Sequence, residues 1–420
     1  MPTYNPEVGR SQVGQNIVYD DDLTFYYDMY NEYTSFKGKP TTNLLSEPNG
    51  FTTWDLNNVT QENLFAVPYK KLVEATSSSS SFALLNSSVT FGLDYTMSVY
   101  AKKAERSFVQ LAPSTGFSSG SYANYDLDTG TITGSFPANA ASMEYMKVGE
   151  HKGWWRCQYT ATSNLTTTSG RIVVAIVPDS TSTRLQSYAS IAGYGIYLRD
   201  MQMEQSSFAT PFVDGTRSDT QSLVDLKGGH EITVKDLTYP NDNRGFNFSS
   251  TTSRLDIEAS ALSAQASSGI WTVEMWLKRT ALSSGNIDTF LQTGSGNNFL
   301  WYFRQSTGNI ELENTASVTW SFTPATDVYY HFVATGSGGF VEVFINGVSL
   351  GTRTTTSTFS IAYANGICVG QELDSNTTTP SVDPNQRFQG EIPLVRFYDR
   401  VLTDAEVRQN FIAKRSKFGL

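Results

Sequence analysis

Residues 340–351 read FVEVFINGVSLG, and the fold turns on this stretch. Apolar and polar side chains interchange over Phe340–Gly347 as in a half-buried strand. Asn346-Gly347 then supplies the strongest short-range signal for a two-residue hairpin, because both central positions of that turn need a positive φ. Strand pulses of the same kind surround it: WTVEMWLKR from Trp271, FLWYFRQ from Phe299, IELEN from Ile310, VTWSF from Val318, YYHFVAT from Tyr329, GICVGQE from Gly366 and EIPLVRFYDR from Glu391. They are too many for one sheet and suit two stacked ones. Upstream, YTMSVYAKK from Tyr95 and RIVVAIV from Arg171 repeat the pattern. Only TDAEVRQNFIAK, Thr403–Lys414, reads as a helix: Thr403 caps, Glu406 completes a capping box, and Val407, Phe411 and Ile412 share a face. The fold expected is all-β, two antiparallel β-sandwich (jelly-roll) domains with one short C-terminal helix.

Composition supports this class and removes others. A chain of 420 residues has room for two or three domains. Charged residues are only 17 % while Tyr (22) and Phe (25) are abundant, a mixture that suits pleated strands. The 30 basic and 40 acidic residues leave a net charge of -10, which argues against wrapping nucleic acid or lying on an anionic membrane. No apolar run approaches a membrane span, so no membrane insertion is expected, and the opening MPTYNPEVGR lacks the basic-then-apolar order of a secretory leader. Cys157 and Cys368 allow at most one disulfide.

Catalytic inventories fare poorly. His151, His230 and His331 lie far apart with no metal spacing, and neither Gly-x-Ser-x-Gly nor a phosphate loop occurs. A carboxylate pair for glycoside cleavage remains open through Glu274, Glu342 or Glu391, although alternation puts Glu274 and Glu342 on the polar sides of their strands. The same alternation assigns Trp271, Trp276 and Trp320 to the core. Trp154 and Trp155 point to opposite faces of one strand, so one of them at most is a ligand face.

Over Leu223–Leu420, the order WTVEMWLKR, YYHFVAT, VEVFINGVSLGT, GQELDS and GEIPLVRFYDRVLTDAEVRQNF resembles the laminin-G/pentraxin-like members of the concanavalin A-like lectin fold. Leu23–Leu45 resembles the opening strand and turn of such domains. Between them, YTMSVYAKKAERSFVQL, DLDTGTITG, GWWRCQYT, RIVVAIV and GYGIYLRDMQMEQSSFATPFV look like the carbohydrate-binding-module-like sandwiches of tailed-phage structural proteins. The organisation expected is therefore an attachment arm over 1–21, a lectin-like jelly roll from 22–41 plus 222–420, and an inserted module over 42–216, with two beads in series as the alternative.

The resemblance implies a virion protein at the particle surface: a fibre, appendage or capsid-decorating subunit that binds host-surface glycans without cleaving them. Its partners would be other virion proteins, through the N-terminal arm and the C-terminal tail, and further copies of itself, a trimer by analogy with fibres. A polysaccharide depolymerase, a cellular lectin and a purely structural subunit are the alternatives. The segment GQELDSNTTTPSVDPNQRFQGEI resembles the pentraxin calcium loop, which implies Ca2+ held by Glu372, the Leu373 carbonyl, Asp374, Asp383 and Gln386, with Asn297 and Asn298 closing the shell. Sugar stacking is expected from aromatic residues near loops or strand ends: Trp54, Tyr122, Tyr125, Trp154 and Trp301.

Overall fold

The structure, a computed structural model, describes residues 17–30, 35–64, 67–117, 120–147, 149–164, 169–240, 245–262, 264–294, 299–314, 317–361, 366–374 and 381–420. It divides into two compact units. One takes its strands from Met1–Gly38, Asp219–Pro240 and Arg244–Leu420, the other from Lys39–Ser218. No helix among the described residues is long and apolar enough to cross a membrane.

The first unit is a sandwich of two antiparallel sheets. Its six-stranded sheet runs Leu23–Asp28, Gly390–Tyr398, Ile270–Arg279, Tyr329–Ser337, Phe340–Ile345, Val348–Thr354. Its seven-stranded sheet runs Ile232–Lys235, Arg254–Ile257, Ile367–Val369, Ile287–Thr293, Leu300–Arg304, Asn309–Glu313, Ser317–Ser321. Val273, Met275 and Leu277 alternate inward from one sheet to meet Phe290, Trp301 and Trp320 of the other in one buried cluster. The expected hairpin at Asn346-Gly347 is present, with φ of 52° and 74° at its two central residues.

Outward from the six-stranded sheet, the alternation that predicts a wet face is overridden. The helix Asp404–Lys414 and the turn after it cover this face and bury Trp276, Phe344, Leu394, Tyr398, Val407 and Phe418, together with Ile17 and Val18. The capping box forms as expected: Thr403 N donates to Glu406 Oε2 at 2.9 Å, and Glu406 N donates back to Thr403 Oγ1. Phe418 stacks on Trp276 with ring centroids 4.2 Å apart. Glu274 does point to the outer side, but it is fully buried there instead of solvated. Its Oε1 accepts from Arg396 Nη1 at 2.6 Å and His331 Nε2 at 3.0 Å, and its Oε2 from Asn410 Nδ2 at 2.7 Å. Burial alone would raise its carboxyl, but Arg396, His331 and Asn410 outweigh that and hold it at about 2.

The tail expected to dock elsewhere is packed on its own unit. Lys414 is buried 3.1 Å from Asp28 Oδ2, and Lys417 lies 4.0 Å from the same oxygen. Of the expected arm, residues 1–16 lie outside the described residues, while Val18 N donates to Asn410 Oδ1 at 2.7 Å and Val18 O accepts from the Tyr398 hydroxyl at 3.0 Å.

The second unit is also a sandwich of two six-stranded antiparallel sheets. They run Ile132–Ser135, Tyr122–Asp126, Phe108–Pro113, Ser169–Ile176, Ser81–Ser88, Asp55–Asn57 and Ala141–Tyr145, Trp155–Thr162, Asp94–Lys103, Gly195–Glu204, Lys70–Glu74, Val59–Asn63. Tyr95, Met97, Val109, Leu111, Tyr125, Tyr159, Val174 and Met203 fill its core. Gln202 and Glu204, on the outer side of their strand, clasp the returning segment. Thr210 N donates to Glu204 Oε1 at 2.7 Å, the Thr210 hydroxyl to Oε2 at 2.9 Å, and Val213 N to Gln202 Oε1 at 2.8 Å. The Gln-x-Glu and Ala-Thr-Pro-Phe motifs are therefore two halves of one structural lock. Cys157 and Cys368 are both free and buried.

Candidate functional site

On the first unit, the outer face of the seven-stranded sheet gathers the chemistry. Pairing sets Tyr302 directly opposite Glu311, and period-two alternation keeps Glu313 on the same face. The Tyr302 hydroxyl lies 2.6 Å from Glu311 Oε2 and 3.0 Å from Glu313 Oε2. Arg304 completes the group, donating from Nε to Glu311 Oε1 at 2.8 Å and from Nη2 to the Tyr302 oxygen at 2.6 Å. Burial, then Glu311, push the Tyr302 phenol far above its ordinary value, so it stays a donor.

The hairpin Gln371–Leu373 and Val382–Arg387 lies against the same sheet. Leu373 N donates to the buried Gln292 side chain at 2.5 Å, and the Thr289 hydroxyl donates to Gln386 O at 2.8 Å. It brings Glu372 to this face. Burial, followed by the charges of Asp374, Asp383 and Glu313, pushes the Glu372 carboxyl up to about 7, and its Oε2 is buried with no hydrogen-bond partner among the described residues. Glu372 is therefore partly protonated at neutral pH.

The calcium set is only partly assembled. Asn297 and Asn298 lie outside the described residues. Both Asp383 oxygens accept bonds from within the hairpin, from Asn385 N and from Gln386 Nε2, each at 2.8 Å. The Leu373 carbonyl accepts from Gln292 Nε2 at 3.4 Å, and Asp374 is exposed. Among the described residues no three acidic, histidine or cysteine side chains converge closely enough to hold a metal. The described residues therefore provide charge for a cation but not its cage.

The aromatic platform expected from Trp54, Tyr122, Tyr125, Trp154 and Trp301 does not form. Tyr125 and Trp301 are fully buried core residues, Trp54 and Trp154 are nearly so, and Tyr122 is half-buried. The rings of Trp54, Tyr125 and Trp301 fill the sandwich interiors, Trp154 packs edge-on to Tyr69 under Arg199, and only Tyr122 keeps part of its ring at the surface. The carboxylates named from sequence also do not pair: Glu274 is locked under the helix, Glu391 binds Lys278 at 2.6 Å, and Glu342 accepts from the Ser349 hydroxyl. Sequence reasoning passed over Glu311 and Glu313. The signal was available, since Tyr302-x-Arg304 and Glu311-x-Glu313 flank a short turn and alternation puts all four on one face.

Residues 249–408 match the concanavalin A-like lectin/glucanases superfamily. That match lies within the first unit. No curated protein matches the chain. Among solved structures, the chain resembles the CBM40 of the Ruminococcus gnavus IT-sialidase, with 20 % identity over 34 % of this chain and 83 % of that one and a TM-score of 0.28. It also resembles domain 4 of AbnA, a GH43 extracellular arabinanase of Geobacillus stearothermophilus, solved with arabinotriose, with 20 % identity over 46 % and 93 % and a TM-score of 0.35. A third is the binding domain of botulinum neurotoxin serotype D, with 18 % identity, 46 % and 50 % covered and a TM-score of 0.36. The chain spans about half the length of that neurotoxin domain.

Proposed function

We propose that the protein binds glycans without cleaving them, through the outer face of the seven-stranded sheet of its concanavalin A-like domain. The observation that carries this reading is the row Tyr302, Glu311, Glu313 and Arg304, in which the buried Tyr302 and Glu311 fix the half-buried Arg304 and Glu313 side by side at the surface of one sheet. Sugar hydroxyls are recognised by such arrays of fixed donors and acceptors. We place the protein at the surface of a phage particle, where many copies would sum weak contacts into avidity. The Gln202-x-Glu204 and Ala209-Thr210-Pro211-Phe212 pair supports that placement by its resemblance to phage structural proteins. Self-association as a trimer and attachment through the N-terminal arm, 1–21, belong to the same proposal. A calcium ion held by Glu372, the Leu373 carbonyl, Asp374, Asp383 and Gln386 with Asn297 and Asn298 belongs to it as well.

A second reading, a polysaccharide depolymerase, is favoured by one observation: Glu372, pushed up to about 7 by burial and by Asp374, Asp383 and Glu313, is partly protonated at neutral pH, and an acid near a second carboxyl group is the pairing that glycoside hydrolysis requires. One experiment separates the two. Purified protein is exposed to a glycan array and to host cells, with and without chelator, while reducing sugar is measured. Retention without sugar release supports the lectin reading, and loss of retention on chelation adds calcium. Sugar release that disappears in Glu372→Gln establishes the depolymerase instead.

A further inference from the structure

The second unit holds a cleft of about 440 Å³ at one end of its sandwich, apart from anything assigned above. That volume lies toward the lower end of small-molecule pockets, about 300–1,000 Å³, and accommodates a mono- or disaccharide. Its walls are built from paired backbone. Asp94 and Thr162 are partners at the ends of neighbouring strands, the turn at Pro137 closes by a bond from Ala140 N at 3.1 Å, and Asn164 N donates to Gly116 O at 3.1 Å.

Three observations point to a ligand. First, the cleft is lined by Tyr159, which is only 1 % exposed, and among the described residues its hydroxyl has no partner in good hydrogen-bond geometry, with the Ser121 side chain its polar neighbour. A buried hydroxyl left unsatisfied is costly unless something reaches it. Burial also raises this phenol above its ordinary value, so it keeps its proton to donate. Second, Asp94 spends only Oδ1, which accepts from the Thr162 hydroxyl at 2.5 Å, and among the described residues Oδ2 has no partner. Asn139, held at φ 63°, and Asn164 present exposed amides along the same cleft. Third, Pro113 and Pro137 give it apolar wall, while no Lys, Arg or His lines it among the described residues. A carboxylate, two amides and a phenol between proline faces suit a ring with alternating hydroxyl and C–H surfaces. With Asp94 unneutralised, they repel an anionic one.

We propose that this end cleft is a second saccharide site that takes one or two neutral sugar residues and rejects sialic and uronic acids. It works independently of the sheet face on the first unit.

The test uses the full chain and ligand-observed NMR titration. The probes are glucose, galactose, N-acetylglucosamine and cellobiose, set against N-acetylneuraminic acid and glucuronate. Tyr159→Phe removes only the unsatisfied hydroxyl, so the variant should unfold at the same temperature as the parent or higher while binding a neutral sugar about tenfold more weakly. Asp94→Ala should weaken it similarly. Asp94→Ala should remove the same increment of neutral-sugar binding in a Glu313→Gln background, where the sheet face is altered, which separates failure of this site from failure of the sheet-face reading. Saturable neutral-sugar binding that both cleft variants weaken supports the proposal. The proposal is overturned if no neutral probe binds saturably, if the charged sugars bind as well as the neutral ones, or if both cleft variants bind like the parent.

Discussion

Two carboxylates of the first unit behave in opposite ways, and their neighbours explain why. Glu274 is buried among donors and held at about 2, so folding gains from its ionised form. That gain is complete above the ordinary carboxylate value, near 4.5, and is lost as pH falls from there to about 2, an amount on the order of 3 kcal/mol. Urea denaturation between pH 6 and 3 should therefore show a loss that is much reduced in Glu274→Gln, and Glu274→Ala should cost about 3–5 kcal/mol at pH 7 by leaving Arg396 buried and unpaired. Glu372 has the reverse sign. Raised to about 7, it weighs against folding progressively from pH 4.5 upward, so Glu372→Gln should raise the melting temperature at pH 8 and leave it nearly unchanged at pH 4. Neither environment was legible in the sequence. Strand alternation reads the side a residue faces, but not whether a helix 130 residues later will cover it, as for Glu274, or which earlier strands its own hairpin will fold against, as for Glu372.

At the scale of elements, legibility followed how local the cause was. The Asn346-Gly347 hairpin and the Thr403–Glu406 box are decided within four residues and form as read. Removing the cap should show its local worth: Thr403→Ala is expected to lower stability by about 1 kcal/mol in denaturant titration. The Gln-x-Glu clasp was visible as a motif but not as a mechanism, because its partner segment arrives from outside the sheet. Glu204 is completely buried and accepts from Thr41, Gln202 and Thr210. Glu204→Ala should therefore destabilise its sandwich on the order of 3 kcal/mol, read as an earlier transition in calorimetry. The aromatic platform failed for a related reason. In a β-sandwich, rings near strand ends close the ends of the core as readily as they line a ligand face, and only burial distinguishes the two.

Across the whole molecule, the chain leaves the first unit after Gly38 and returns to it at Asp219. The two crossings are neighbours: Phe36 bridges to Leu223, Lys37 N donates to Ser222 O at 2.9 Å, and the Ser222 hydroxyl donates to Gly38 O at 2.6 Å. Replacing 39–218 by a short glycine-serine turn should therefore leave a soluble chain with a cooperative thermal transition, and an aggregated product would show that the first unit needs the second in order to fold. Both described ends of the first unit also meet in one place, where Ile17 and Val18 share a buried cluster with Phe418. Mechanically this is a short circuit. A tug on the chain before Ile17 is passed through Val18 to Asn410 of the C-terminal helix and to Tyr398 at the end of its strand, so tension applied between the two ends loads that clasp before the rest of the two sheets.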